Sequence, residues 1–308
     1  MKKSVSVGIH VPSVSTTGLE DGRAYAEFFQ AVETLGFDAI WVEDRIFHPV
    51  PMADAVVLLS WAAAYTERVT LGTAVMVLNL RQAPVVARQV STLQHLSGGR
   101  VTLGVSIGGR PEEYAALDVP MDRRVRVFRD GLSALQDLLT GETITRDVEA
   151  GHFFPLDNAT VRPGADLPIF IGGLADAAIR RAGELGDGWI MGPFGGVEDF
   201  AKGWRIAKGG AEAAGKNPDN LIAGRLLYVA VDDDRSKARA DLTKFLHGYY
   251  GPDFDVDQHA IFGPTQEVAS RLREQVDAGI SHLMLAVPTL DREHLSRLAH
   301  DVMPALRS

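Results

Sequence analysis

The chain has 308 residues, 46% of them hydrophobic and 23% charged, enough apolar material for one large core and a length that suits a single α/β barrel with insertions. A net charge of −9 argues against a nucleic-acid backbone as partner, and no apolar run approaches the ~18–20 residues that span a bilayer. No cysteine occurs, which excludes disulfides and thiolate metal sites and suits a cytoplasmic protein, and Met1-Lys2-Lys3-Ser4 runs straight into an alternating strand rather than a signal-peptide core.

Strand-like and helix-like segments alternate from there. The pattern predicts a strand over Val5–Val11, a helix over Glu20–Leu35 stopped by Gly36, and a short strand over Phe37–Asp44 that turns charged at its end. A helix follows over Met52–Tyr65, then an apolar strand over Val69–Leu78. Next come a helix from Pro84 to Leu96 with Gly98-Gly99 beyond it, a strand over Arg100–Ile107 and a helix over Val125–Leu139. From Thr140 to Asp166 the pattern breaks into turn residues and short β-prone pieces, an excursion that could hold a hairpin.

Order returns with strand Pro168–Ile171, helix Ala175–Leu185, strand Gly188–Met191 and a helix over 197–214. Then follow strand Leu221–Val231, helix Arg235–Leu246 and a second, polar excursion at about 248–264. The chain closes with helix Gln266–Ala278, strand His282–Val287 and helix Arg292–Leu306. Eight strands, nearly all followed by helices, imply parallel pairing with helical crossovers, and eight such units close into an α/β TIM (β/α)8 barrel with insertions, spanning 1–308 as one domain. A doubly wound open sheet is the alternative, but the first strand is followed by Val11-Pro12-Ser13-Val14 rather than a glycine-rich phosphate turn.

Barrel chemistry collects at the C-terminal strand ends. That rule selects His10, then Glu43, Asp44 and Arg45, then Asn79, Arg81 and Gln82, then Ser106, Gly108, Gly109, Arg110, Glu112 and Glu113, then Gly172-Gly173, and finally Met191-Gly192. Asp44 alternates with Ile40 and Val42, which would point it into the mouth; a local salt bridge or helix cap is the plainer role for Glu43-Asp44-Arg45. His10 is either a proton shuttle or a structural histidine. The strand Ile169-Phe170-Ile171 runs into Gly172-Gly173-Leu174 and a helix, a geometry that offers backbone N–H groups and a helix N-terminus to a phosphate, or simply a tight turn. The histidines show no H-x-H or H-E-x-x-H spacing, so no metal site is expected.

The ordered set Leu35-Gly36-Phe37-Asp38-Ala39-Ile40-Trp41-Val42-Glu43-Asp44, Val69-Thr70-Leu71-Gly72-Thr73-Ala74-Val75, Ala83-Pro84-Val85-Val86-Ala87-Arg88-Gln89, Leu96-Ser97-Gly98-Gly99-Arg100-Val101, Pro168-Ile169-Phe170-Ile171-Gly172-Gly173 and Leu185-Gly186-Asp187-Gly188-Trp189 resembles the luciferase-like flavin-dependent oxidoreductases along essentially the whole chain. The resemblance implies a TIM barrel, usually dimeric, with an isoalloxazine-type ring in its mouth. The Gly-Gly turn and the Leu-Gly-Asp-Gly-Trp stretch are more similar to the deazaflavin branch, which uses coenzyme F420, than to the FMN branch. In that branch a non-proline cis peptide in the third strand backs the ring, and it would map to Ala74-Val75.

Asp44 would then lie near the ring, with Ser106, Gly108, Gly109 and Glu112 lining the mouth and Gly172, Gly173 and Leu174 holding the cofactor phosphate. His10, Arg45 and Glu112 remain open as proton-transfer residues. Two departures stand out: Arg45 follows the aspartate where the branch often has histidine, and Gly109 stands where sugar-phosphate oxidisers carry glutamate. The implied activity is F420-dependent hydride transfer to or from a small organic substrate, with reduced cofactor supplied by a separate NAD(P)H–flavin or F420 reductase. The alternatives are an FMN-dependent monooxygenase using reduced flavin and O2, and a barrel that binds a flavin-like ligand without turnover.

Overall fold

The computed structural model describes residues 5–15, 18–147 and 153–307. Its strands are β1 (Ser6–His10), β2 (Ala39–Val42), β3 (Thr70–Thr73), β4 (Met76–Val77), β5 (Val101–Ser106), β6 (Thr143–Arg146), β7 (Leu156–Thr160), β8 (Ile169–Gly172), β9 (Gly188–Met191), β10 (Ile222–Val231), β11 (Ala260–Gly263) and β12 (His282–Ala286). The helices used below are α1 (Gly22–Thr34), α2 (Ala55–Tyr65), α3 (Ala83–Leu96), α4 (Pro111–Ala116), α5 (Arg124–Leu139), α6 (Asp176–Leu185), α7 (Val197–Ala213) and α8 (Arg235–Tyr250). Strands pair in parallel in the order β1–β2–β3–β5–β8–β9–β10–β12, and β12 returns to β1. The result is a closed eight-position TIM barrel with helices outside it.

Local chemistry sets the helix starts. Asp21 caps α1 by accepting from the N–H groups of Arg23 and Ala24, and Asp54 caps α2 in the same way through Val56 and Val57. The second helix therefore begins at Ala55 rather than at Met52, which instead bridges to Val14.

Two layers of core follow from strand alternation. Ile40 and Val42 belong to the layer between sheet and helices, whereas Ala39 and Trp41 belong to the interior cluster with Phe170, Ile190, Leu226 and Met284. Trp41 stacks on Phe170 with ring centroids 6.4 Å apart. Its indole also covers Gly8 on β1 and Gly72 on β3; a Cβ at either position would collide with the ring.

The third strand, expected to run unbroken to Leu78, is interrupted. Gly72 faces Thr102 and Met76 faces Val105, so β3–β4 advances from 72 to 76 while β5 advances only from 102 to 105, a one-residue bulge. Thr73 closes the gap. Its hydroxyl donates to the Gly104 carbonyl at 2.7 Å and accepts from the Gly104 N–H at 3.0 Å.

The first excursion is an antiparallel β6–β7 hairpin, with Thr143 opposite Thr160. Arg146 fastens it to α5 through ion pairs to Asp130 at 2.6 Å and Asp137 at 2.5 Å, and Asp130 also accepts the N–H groups of Phe153 and Phe154. Residues 148–152 of that excursion, His152 among them, and Met1–Ser4 lie outside the described residues. The second excursion, expected to be polar and irregular, contains β11, which pairs in parallel with Tyr228–Val231 of β10. Among the described residues, no helix is long and apolar enough to cross a membrane.

Candidate functional site

The C-terminal strand ends surround a cavity of about 670 Å³. Of the candidate residues, Asp44, Arg45, Ala74, Val75, Ser106, Gly108, Gly109, Gly172, Gly173 and Leu174 line it together. His10 and Glu112 do not. The Ala74–Val75 peptide is cis and lies in the bulge after β3, its side chains on the cavity wall.

Asp44 reaches the mouth by a different route from the one its sequence pattern implies. Ile40 and Val42 face the helices, so strict alternation would turn Asp44 away from the interior. However, β2 ends at Val42, and beyond that point the chain leaves the ladder and both Glu43 and Asp44 face the cavity. The Asp44 carboxylate does not pair with Arg45. Arg81 grips it, Nη2 to Oδ1 at 2.5 Å and Nε to Oδ2 at 3.1 Å, and the Val77 N–H donates to Oδ2 at 3.2 Å. Arg81 also reaches Asp54 at 3.3 Å, which ties the cavity wall to the α2 cap.

Arg45 is half-buried, donates from Nε to the Tyr249 hydroxyl at 3.0 Å and lies over that ring, 5.4 Å from its centroid. Burial opposes its charge, but Tyr249 and Glu113 hold its pKa above the usual arginine value, so it stays a fixed cation. Glu112 points to solvent, 3.9 Å from Arg110, because α4 begins at Pro111 and its first turn carries Glu112 outward and Glu113 inward. Glu113 lines the cavity, and its buried Oε1 has no hydrogen-bond partner among the described residues.

Glu43 was among the strand-end residues but was not singled out from the sequence. It is 7% exposed, and its Oε1 accepts from the Ser13 hydroxyl at 2.8 Å. Burial pushes its pKa up to about 7, against the pull of the Ser13 hydroxyl and the Arg45 charge. Beneath it, His10 is 1% exposed with Nε2 at 3.9 Å from Glu43 Oε2, and neither ring nitrogen has a hydrogen-bond partner among the described residues. Burial lowers the His10 pKa to about 4, so the imidazole is neutral at pH 7.

Tyr228, Tyr249, Tyr250 and Phe194 also line the cavity and escaped the sequence reading. Two of the tyrosines lie at the end of α8, which runs four residues beyond its expected stop at Leu246. Tyr228 and Tyr250 share a hydroxyl–hydroxyl hydrogen bond of 2.7 Å. The far wall is α6. Gly172 faces the Val75 side chain, which a Cβ would approach to 3.2 Å, and a Cβ on Gly173 would lie 2.6 Å from that of Ala178 on the helix. Arg181, from the second turn of α6, lines the same wall. It lies over Phe128 and has no ion pair of its own among the described residues, because Glu184 is taken bidentately by Arg129. Among the described residues, no group of three His, Asp or Glu side chains is placed to hold a metal.

Residues 1–252 match the luciferase-like monooxygenase family. The chain is 29% identical over 315 residues to an F420-dependent glucose-6-phosphate dehydrogenase of Kineococcus radiotolerans, covering 92% of each protein. A protein of the same description from Beutenbergia cavernae is 32% identical over 314 residues, covering 90% of this chain and 91% of the relative. Among solved structures, an F420-dependent secondary alcohol dehydrogenase in complex with an F420-acetone adduct has the same fold, with a TM-score of 0.84 at 20% identity over 99% of this chain and 100% of that one. With its barrel, its bulged third strand and this matched span, the chain belongs to the luciferase-like monooxygenase family.

Proposed function

We propose that this protein is an oxidoreductase that transfers hydride between coenzyme F420 and a small organic substrate, acting as one barrel domain. The observation that carries the reading is the α6 wall of the cavity. There Gly172 and Gly173 line the cavity without side chains, and Arg181 brings a buried guanidinium with no carboxylate partner among the described residues. Burial and the neighbouring Arg129 lower the Arg181 pKa, a strain on the charged form that an anionic ligand would relieve. The F420-dependent relatives, matched along about nine-tenths of the chain, point to the same cofactor.

The residues present fit a deazaflavin with a phosphate-bearing tail. Ala74 and Val75 would back the ring, while Gly172, Gly173, Leu174 and Arg181 would hold the phosphate. Ser106, Gly108 and Gly109, at the end of β5 between those two groups, leave room beside the ring. Bound there, the deazaflavin would supply a two-electron hydride carrier. The protein would orient the ring, exclude water with Phe194 and the tyrosines, and hold Asp44 fixed by Arg81. Fluorescence titration of the apoprotein separates the cofactors: F420 is expected to bind and FMN to bind much more weakly. Preference for FMN would move the assignment to oxygen chemistry, and binding of F420 without turnover of any alcohol or carbonyl would leave a ligand-binding barrel.

The same reading makes the protein a cytoplasmic homodimer served by a separate reductase that recycles the cofactor; a chain without cysteine suits a reducing compartment. Adjacent helices α2 and α3 carry Val57 at 69% and Leu96 at 72% exposure, with Trp61, Tyr65 and Val85 also exposed. Light scattering is expected to give a dimer for the native chain and a monomer for Val57→Glu. A native monomer would remove the dimer from the proposal.

A further inference from the structure

We propose that Glu43 is the catalytic residue that exchanges a proton with substrate in step with hydride transfer, and that Ser13 and His10 are its positioning residues. The inference rests on the hydride-transfer reading above, with an alcohol and its carbonyl partner as the substrate pair.

The geometry singles out Glu43 by what occupies its neighbours. Both Asp44 oxygens are engaged by Arg81, so a proton arriving there would break a buried ion pair. Arg45 is a fixed cation hydrogen-bonded to Tyr249, and Glu112 stands in solvent. Glu43 faces the cavity with Oε1 held by Ser13, and Oε2 has no hydrogen bond among the described residues. One buried carboxyl is thus anchored by one oxygen and left with the other available, the arrangement a proton donor or acceptor requires.

The groups around Glu43 keep its proton exchangeable rather than locked. His10 on β1 lies behind it, Arg45 follows it, Tyr25 approaches from α1, Tyr228 from β10, and Tyr249 and Tyr250 from α8. Burial raises every one of these phenols, so they keep their protons at neutral pH, and the three that line the cavity, Tyr228, Tyr249 and Tyr250, can donate hydrogen bonds to a substrate oxygen. His10 stays neutral and adds no charge that would force Glu43 to ionise. Glu43 is balanced between its two forms, close to pH 7.

The step balances in either direction. In oxidation the substrate C–H bond breaks and its electron pair leaves with the hydrogen to the deazaflavin; the O–H proton passes to Glu43 Oε2, and the C=O bond forms. In reduction the carbonyl carbon gains the hydride and its oxygen takes the Glu43 proton. A base whose pKa is raised works only above that value and an acid only below it. Oxidation should therefore rise with pH through about 7, and reduction should fall through the same region.

Two readouts test this. The first needs no cofactor: infrared difference spectra of the full chain against Glu43→Gln, titrated with pH. A protonated-carboxyl band that fades around pH 7 in the native protein and is missing from Glu43→Gln is expected, with the fading shifted to higher pH in Ser13→Ala, which loses the hydroxyl that favours the charged form. A Glu43 that is fully ionised at pH 5 overturns the inference. The second uses F420 with a panel of secondary alcohols and ketones. Glu43→Gln is expected to bind F420 like the native chain, lose about 10²–10⁴-fold in kcat, and lose the inflection of the pH profile. An unchanged kcat and profile in Glu43→Gln overturns it too. If the native chain fails to bind F420 at all, the hydride-transfer reading itself falls, and the inference falls with it for a different and identifiable reason.

Discussion

Arg81→Met is expected to destabilise the protein by about 3–5 kcal/mol, because it leaves the Asp44 carboxylate buried and unpaired. The Asp44 side chain is 1% exposed and that of Arg81 15%, so water cannot replace the lost partner without reorganising the cavity wall. Breaking one side of such a pair is far more damaging than removing both. The double variant Asp44→Asn/Arg81→Met should therefore recover most of the loss, and urea unfolding of the native chain, Asp44→Asn, Arg81→Met and the double variant gives the coupling directly. Asp54 keeps its cap on α2 in every variant, since its Oδ1 serves the helix and only its Oδ2 meets Arg81. A loss below about 1 kcal/mol for Arg81→Met would mean that the pair behaves as a solvent-exposed one. It would also remove the reason for treating Asp44 as a fixed part of the wall.

The second large effect concerns the cofactor. Arg181→Met is expected to weaken F420 binding by about 10–100-fold, the range that follows from losing about 1.5–3 kcal/mol of charge-assisted hydrogen bonding. Without the guanidinium, binding should also depend less on salt. Arg129→Met tests the same site from the other side: it frees Glu184, one turn along α6, to compete for the Arg181 guanidinium, so F420 binding is expected to weaken there too, by less than in Arg181→Met. Fluorescence titrations at two ionic strengths distinguish the variants. Equal affinity for F420 in native protein and Arg181→Met would take the phosphate away from α6. Because Met keeps most of the apolar stem, packing against Phe128 should survive and the loss can be read as charge.

Much of the barrel was legible because a parallel strand between helices writes itself as a short apolar run bounded by turns. The eight strands close in the expected order, with ends displaced by one to a few residues. What alternation could not supply was the direction of each face. In β2, buried on both sides, Ile40 and Trp41 are equally apolar, and only the glycines opposite Trp41 reveal which side is the interior. That ambiguity hid Glu43, which follows Trp41 on the interior side.

β11 was missed because Ala260–Gly263 is too short and too close to a polar stretch to stand out as a strand. The tyrosines at 249–250 were missed because an α8 turn richer in aromatics than in periodic aliphatics carries them. The pair at 74–75 came from the resemblance, whereas Gly172-Gly173 was already marked by its strand–glycine–helix pattern, and the structure brings both to one cavity. Glu112 and Glu113 could not be told apart without the rotation that Pro111 imposes on the first turn of α4.

Thr73 has a consequence for how this scaffold can change. By meeting both backbone groups of Gly104 with one hydroxyl, it seals the seam between two strands just where the chain departs from the ladder. Below it, position by position, residues answer to the geometry of a closed cylinder. Above it, Ala74 and Val75 stand outside the pairing with β5 and are free to answer to a ligand. A single side chain thus marks the border between the part of the molecule that must stay the same and the part that can be rebuilt for another reaction.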